Sequence, residues 1–289
     1  MRSDMWVLGG TAGGAIAQGV AEGLKAPLGR VEVKTFPDGE IYVRLLDDVK
    51  DRDVVYVQSS WPNDKLVEML LTLAALREHG ARSITAVVPY LAYARQDRVF
   101  QSGEGTSAAA VLKLIAQFAD RFVTVDPHKE HVLPFFGTRA LDVSAIRLIA
   151  DHLVEVGPDL VLAPDKGALD RAEALARELG TPVDHLEKTR LSGTEVRMAP
   201  KALDVAGKVV VIVDDMISTG GTIATAVKEL KRQGAAKVVA ACTHGLFVGG
   251  ALDRLAQAGI DGVVATDTLA NPVAKVAVAP AIVDALARR

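Results

Sequence analysis

The sequence predicts an α/β protein of two similar domains, each a mostly parallel sheet flanked by helices, and three observations carry that expectation. Short β-branched runs occur at 54–57, 84–88, 122–125, 160–162, 209–213, 238–241 and 263–265, separated by longer stretches of helical period. In one such stretch Leu66, Met69, Leu70, Leu73 and Leu76 recur at three- and four-residue steps, which makes one helical face apolar and places Glu68, Arg77 and Glu78 elsewhere. The strand, helix, strand rhythm appears once before about residue 145 and again after it.

A chain of 289 residues suffices for two domains that each bury a core, expected over 1–144 and 145–289. The boundary falls near 141–145, and the last helix, 281–288, is free in sequence terms to dock back across it. A composition of 49% hydrophobic and 24% charged residues is that of a globular protein, and a formal net charge of -3 supplies no basic field for nucleic acid. Cys242 stands alone, so it can make neither an intrachain disulfide nor a thiolate metal site; in the apolar run around it, it reads as a buried structural thiol. Arg2, then Asp4 and a glycine-broken stretch do not form a signal peptide pattern. No uninterrupted apolar run is long enough to cross a bilayer, so a cytoplasmic location is expected.

Along the chain, the glycine-rich 9–14 comes first; it does not fit GxGxxG and carries no dinucleotide signature. Residues 36–45, FPDGEIYVRL, read as a turn entering a strand. PYLAYARQDR, 89–98, follows the run 84–88 and places Arg95, Gln96 and Asp97 at a strand end. Asp126, Pro127 and His128 follow the run 122–125, and Asp165 follows 160–162 in APDKGALDRA. Residues 186–198 read as a polar flap, on which Lys188 and Arg190, two apart in a strand-like segment, point to one side. Taken singly, these are also what a tight turn, a solvated loop, a structural histidine and surface charge look like.

The stretch 209–230 is more specific. Five apolar residues end on Asp214 and Asp215, followed by Ser218, Thr219, Gly220, Gly221 and Thr222 and then a helix with Ile223, Val227 and Leu230 on its apolar face. Glycines let backbone N–H groups approach a phosphate, the hydroxyls can donate to it, and the helix N-terminus favours its charge. The two acids would repel a phosphate and instead suit sugar hydroxyls or a metal beside them. The ligand so described is a sugar phosphate. GxxxxGKS and GxxxxGKT are both absent, so this is not a Walker loop.

This loop resembles the phosphoribosyl pyrophosphate signature shared by type I phosphoribosyltransferases and ribose-phosphate pyrophosphokinases. The resemblance implies a type I phosphoribosyltransferase-like architecture for both domains. The other segments resemble the second family in the order in which they occur, over about residues 30 to 270. By that resemblance Phe36, Asp38 and Glu40 belong to an adenine-binding loop that reaches into a neighbouring subunit, which implies a homo-oligomer. Arg95, Gln96 and Asp97 match ATP-binding positions. His128 of the D-x-H element and Asp165 match positions that hold magnesium, and Lys188 and Arg190 match the catalytic pair of the flap. The family usually has leucine at the position of Pro127, and STGGT with a short chain looks like archaeal members. The implied reaction is in-line attack of the ribose 5-phosphate 1-hydroxyl on the β-phosphorus of ATP, releasing AMP, with Asp214 and Asp215 orienting the sugar. His131, close by in sequence, receives no role. Two rivals remain: a phosphoribosyltransferase using the same loop, and a non-catalytic regulatory subunit, which would be expected to lack Lys188, Arg190 or His128.

Overall fold

The computed structural model describes residues 4–186, 188–190, 196–198 and 203–287. The chain forms two compact units, Met1–Ser144 together with Ala277–Arg289, and Ala145–Val276.

In the first unit the elements are β1 (Met5–Gly9), α1 (Gly14–Leu24), β2 (Leu28–Gly29), β3 (Val31–Thr35), β4 (Ile41–Leu45), β5 (Asp53–Val57), α2 (Asn63–Glu78), β6 (Ser83–Val88), α3 (Ser107–Ala116), β7 (Arg121–Val125) and β8 (Ala140–Val143). The second unit holds α4 (Ile146–Leu153), β9 (Leu160–Ala163), α5 (Leu169–Leu179), β10 (Val183–His185), β11 (Lys188–Arg190), β12 (Val196–Met198), β13 (Val209–Ile217), α6 (Gly221–Arg232), β14 (Lys237–Gly245), α7 (Ala251–Gln257), β15 (Gly262–Thr266) and β16 (Ala274–Val276). The final helix, α8 (Ala279–Ala287), belongs to the first unit. It packs on α1 over Gly19 and Gly23, where an added Cβ would come within 2.8 Å of Ala279 and 2.7 Å of Val283. That close approach sets its place.

Each unit is built on a parallel sheet of six strands, ordered β2-β1-β5-β6-β7-β8 in the first and β10-β9-β13-β14-β15-β16 in the second. The two orders are the same permutation, with direction reversing between β1 and β5 and between β9 and β13. At such switch points open α/β sheets leave a crevice beyond the carboxyl ends of the strands. Central strands β5, β6, β7 and β9 are buried nearly throughout, which is why they read as apolar and β-branched runs without polar alternation. Two antiparallel hairpins, β3–β4 and β11–β12, stand apart from the sheets.

Two expectations are corrected, and one strand was not foreseen. β13 continues through Asp214 and Asp215 to Ile217, paired with β14 as far as Gly245, so the two acids lie inside the strand. The edge strand β8 has no apolar run to announce it, because its face is only half covered. Glu68 does not lie off the apolar face of α2: it is 0% exposed beside Met69, Thr72, Leu73 and Leu76. Its carboxylate accepts from the N–H and hydroxyl of Thr11, 57 positions away, as well as from Lys65 on the same helix, and the distant partner is a compensation that periodicity along one helix cannot reveal.

Candidate active site

In the second unit, β9 and β13 are hydrogen-bonded neighbours, and the segments leaving their carboxyl ends carry Asp165 and the 218–222 turn. Asp165 caps a short helical turn by accepting from the Gly167 N–H at 2.8 Å. Asp214 Oδ1 accepts from the Asp215 N–H at 2.9 Å. The structure brings Asp165, Asp214 and Asp215 together electrostatically: burial foremost, then the charges of Asp215 and Asp165, push the Asp214 carboxyl up to about 8. A site that accumulates negative charge in this way suits a hydroxyl-bearing ligand or a divalent cation.

The turn itself is held from below. Gly220 adopts φ 73° as the N-cap of α6, and an added Cβ would also lie 3.3 Å from the Ala251 carbonyl oxygen. Ile217 and Ser218 accept backbone bonds from Leu246, Phe247 and Val248, and the Arg254 guanidinium donates to the Thr219 carbonyl oxygen. Thr219 and Thr222 are exposed, and among the described residues nothing accepts from the N–H groups of Thr219, Gly220, Gly221 and Thr222. A helix N-terminus that presents such donors is ready to take a phosphate. Arg254 escaped the sequence reading because nothing in the helix around it distinguishes it from a surface arginine.

Cys242 is fully buried on β14, opposite Asp214, and burial with the neighbouring carboxylates raises its thiol well above the usual range. Such a thiol is inert. Lys188 and Arg190 fall in β11, paired antiparallel with β12 through Lys188↔Met198 and Arg190↔Val196. Their side chains lie outside the described residues.

In the first unit, β6 and β7 are neighbours, so the segments that follow them, 89–98 and 126–131, emerge side by side. They are joined directly: His131 Nε2 lies 2.9 Å from Asp97 Oδ2, and Asp97 is 8% exposed. Gln96 accepts a bond from the Ser107 hydroxyl through its side chain and from the Ala108 N–H through its carbonyl, and thereby fixes the start of α3. Arg95 is exposed. Asp126 is buried at φ 40°, its N–H donating to the Val143 carbonyl at 3.1 Å, and His128 is half-buried two residues on. His131 is the residue whose part was missed; its proximity to the Asp-Pro-His element was the available signal.

Phe36, Asp38 and Glu40 sit at the tip of the β3–β4 hairpin. The Phe36 N–H donates to the Glu40 carbonyl, the Gly39 N–H to the Phe36 carbonyl and the Glu40 N–H to Asp38 Oδ1, at 2.8, 2.9 and 3.0 Å. This is a tight Pro-Asp-Gly turn, and its three side chains are exposed, Phe36 by 47% with its ring edge-on to Tyr42 at 6.1 Å. Among the described residues no group of three or more His, Cys, Asp or Glu is arranged to hold a metal, and no helix is long and apolar enough to cross a membrane.

Two such units, with a loop over the switch point of each sheet, define an α/β protein of the phosphoribosyltransferase type. A family profile described as the N-terminal domain of ribose phosphate pyrophosphokinase matches residues 5–118, and one for the phosphoribosyl transferase domain matches 140–259. The chain is 46% identical to the ribose-phosphate pyrophosphokinase of Pyrococcus furiosus, over 91% of this chain and 94% of that one. It is 45% identical to the enzyme of the same name from Methanopyrus kandleri, over 98% of each. The crystal structure of phosphoribosylpyrophosphate synthetase from Mycobacterium smegmatis is similar at TM-score 0.86 and 34% identity, over 98% of this chain and 97% of that one. The chain belongs to the ribose-phosphate pyrophosphokinase family.

Proposed function

We propose that this enzyme transfers the β,γ-diphosphate of ATP to the 1-hydroxyl of ribose 5-phosphate, giving 5-phospho-α-D-ribose 1-diphosphate and AMP for nucleotide biosynthesis in the cytoplasm. The observation that carries this reading is the Asp97–His131 pair, which ties the ATP-type element 95–97 to the segment of His128 in a chain that also holds an open sugar-phosphate turn.

Ribose 5-phosphate takes the second unit: its phosphate lies on the N–H groups and hydroxyls of 218–222, and its ring hydroxyls on Asp214 and Asp215. A carboxyl held at about 8 can donate to a hydroxyl oxygen as well as accept from it. ATP takes the first unit through Arg95, Gln96 and Asp97, with Phe36, Asp38 and Glu40 supplied to the adenine from the hairpin of a second copy in a homo-oligomer. The role given to Lys188 and Arg190 is to stabilise the charge that develops on the non-bridging oxygens of the transferred phosphates. The oxygen donors and concentrated negative charge around Asp165 fit magnesium, for which Asp165 in the second unit and His128 in the first are each proposed as a ligand. When bound, it neutralises phosphate charge and favours ionisation of the attacking hydroxyl.

The test is product analysis with ATP, ribose 5-phosphate and magnesium. AMP formed only when the sugar phosphate is present, one per phosphoribosyl pyrophosphate, is the expected result. Release of ADP or orthophosphate would refute the reading. Consumption of phosphoribosyl pyrophosphate with a nucleobase and no use of ATP would establish the transferase in its place.

A further inference from the structure

The switch point of the first sheet also carries a strand, a glycine-rich loop and a helix: β1, the 10–13 segment and α1. Here the donors are occupied. The Thr11 N–H donates to Glu68 Oε1 at 2.7 Å, the Thr11 hydroxyl to Glu68 Oε2 at 2.5 Å, and Lys65 Nζ lies 3.4 Å from the same oxygen. The next N–H, that of Ala12, donates to Gln58 Oε1 at 2.8 Å. Glu68 is 0% exposed and Gln58 likewise, and the Gln58 Nε2 is buried without an acceptor among the described residues. A buried carboxylate survives only when donors and an opposite charge surround it. A backbone N–H, a hydroxyl and an ammonium converging above a sheet switch point are also the groups that receive a phosphate oxygen.

We propose that the first unit contains a latent oxyanion site, shaped for an inorganic phosphate or a phosphate monoester, which the chain fills with its own Glu68 carboxylate. The plug excludes phosphorylated ligands from the first switch point, so that of two equivalent crevices only that of the second unit is available; this last clause rests on the ribose 5-phosphate assignment made above.

Isotope labelling of threonine nitrogens puts both loops in one NMR spectrum, because Thr11 reports the first and Thr219 and Thr222 the second. In the wild-type enzyme titrated with inorganic phosphate, the Thr219 and Thr222 amides should shift and Thr11 should stay. In Glu68→Ala all three should shift saturably, and chloride at matched ionic strength should leave Thr11 in place. A folded Glu68→Ala enzyme whose Thr11 amide ignores phosphate overturns the proposal, as does a wild-type Thr11 that responds. If Glu68→Ala does not fold, the isosteric Glu68→Gln decides: loss of the charge-assisted bond should displace the Thr11 amide from its wild-type position, and an unmoved resonance overturns the proposal. The outcome in which Thr11 behaves as described but Thr219 and Thr222 do not respond to ribose 5-phosphate removes the substrate assignment alone.

Discussion

The two units share a strand permutation, and the loops over their switch points are in opposite states. Over the first switch point a carboxylate from α2 holds the Thr11 donors; over the second, the donors of 218–222 face no acceptor among the described residues, and three carboxylates stand beside them. On the assignments proposed above, the scaffold specialises by the state of its loop donors and not by its sheet. A unit whose crevice is filled remains free to bind through other strand ends, and in the first unit the elements that match nucleotide binding leave β6 and β7.

The sharpest way to test that division is to strike the second unit's flap. Lys188→Ala should lower kcat by about 10²–10³ while ATP affinity stays near the wild-type value, as for loss of one group that stabilises transition-state charge. Steady-state kinetics with an independent ATP binding measurement would show it, and an affinity that collapses at unchanged kcat would place the lysine in substrate binding instead.

Next comes the turn. Gly220→Ala forces a side chain into φ 73° against Ala251, a strain of roughly 1–3 kcal/mol. The KM for ribose 5-phosphate should rise about tenfold with the KM for ATP unaltered. Equal changes in both would blur the comparison.

The reverse asymmetry is expected of His131→Ala. It leaves a buried Asp97 without its ring partner, a loss of about 1 kcal/mol or more. The KM for ATP should increase roughly fivefold and that for ribose 5-phosphate should hold; a selective rise for the sugar phosphate would contradict the placement of ATP.

A fourth effect is read in stability and not in kinetics. The unfolded chain releases the Asp214 proton near the ordinary aspartate value of about 4, whereas the folded enzyme keeps it to about 8. Between those values the native state binds more protons, so the contribution of Asp214 to stability falls as pH rises. Asp214→Asn removes that dependence, and its Tm advantage over the wild type should widen from about pH 4 to about pH 8 and then level off. A constant Tm difference across the window would show Asp214 to be an ordinary carboxylate.

The fold was legible where burial is two-sided. The runs at 54–57, 84–88 and 122–125 lie within β5, β6 and β7 because parallel strands covered on both faces need apolar residues without alternation. The edge strands β2 and β8, short and half covered, left no such trace. The 218–222 turn was legible because its chemistry is local, all its donors and acids falling within nine residues of Asp214. Glu68 and His131 were not, since each acts through a partner distant along the chain: Thr11 is 57 positions from Glu68, and Asp97 sits after a different strand from His131. Periodicity sorts a charged residue outward by default, and only contacts made across the fold can reverse that.

The most direct measurement of the division between the units is a hydrogen-exchange footprint of the wild-type enzyme with each ligand supplied separately. Ribose 5-phosphate should slow exchange over 218–222 and leave 10–13 and 95–98 unchanged, and a non-hydrolysable MgATP analogue should slow 95–98 and 126–131 without protecting 10–13. Protection of 10–13 by either ligand, or of 218–222 by the nucleotide analogue alone, would contradict it.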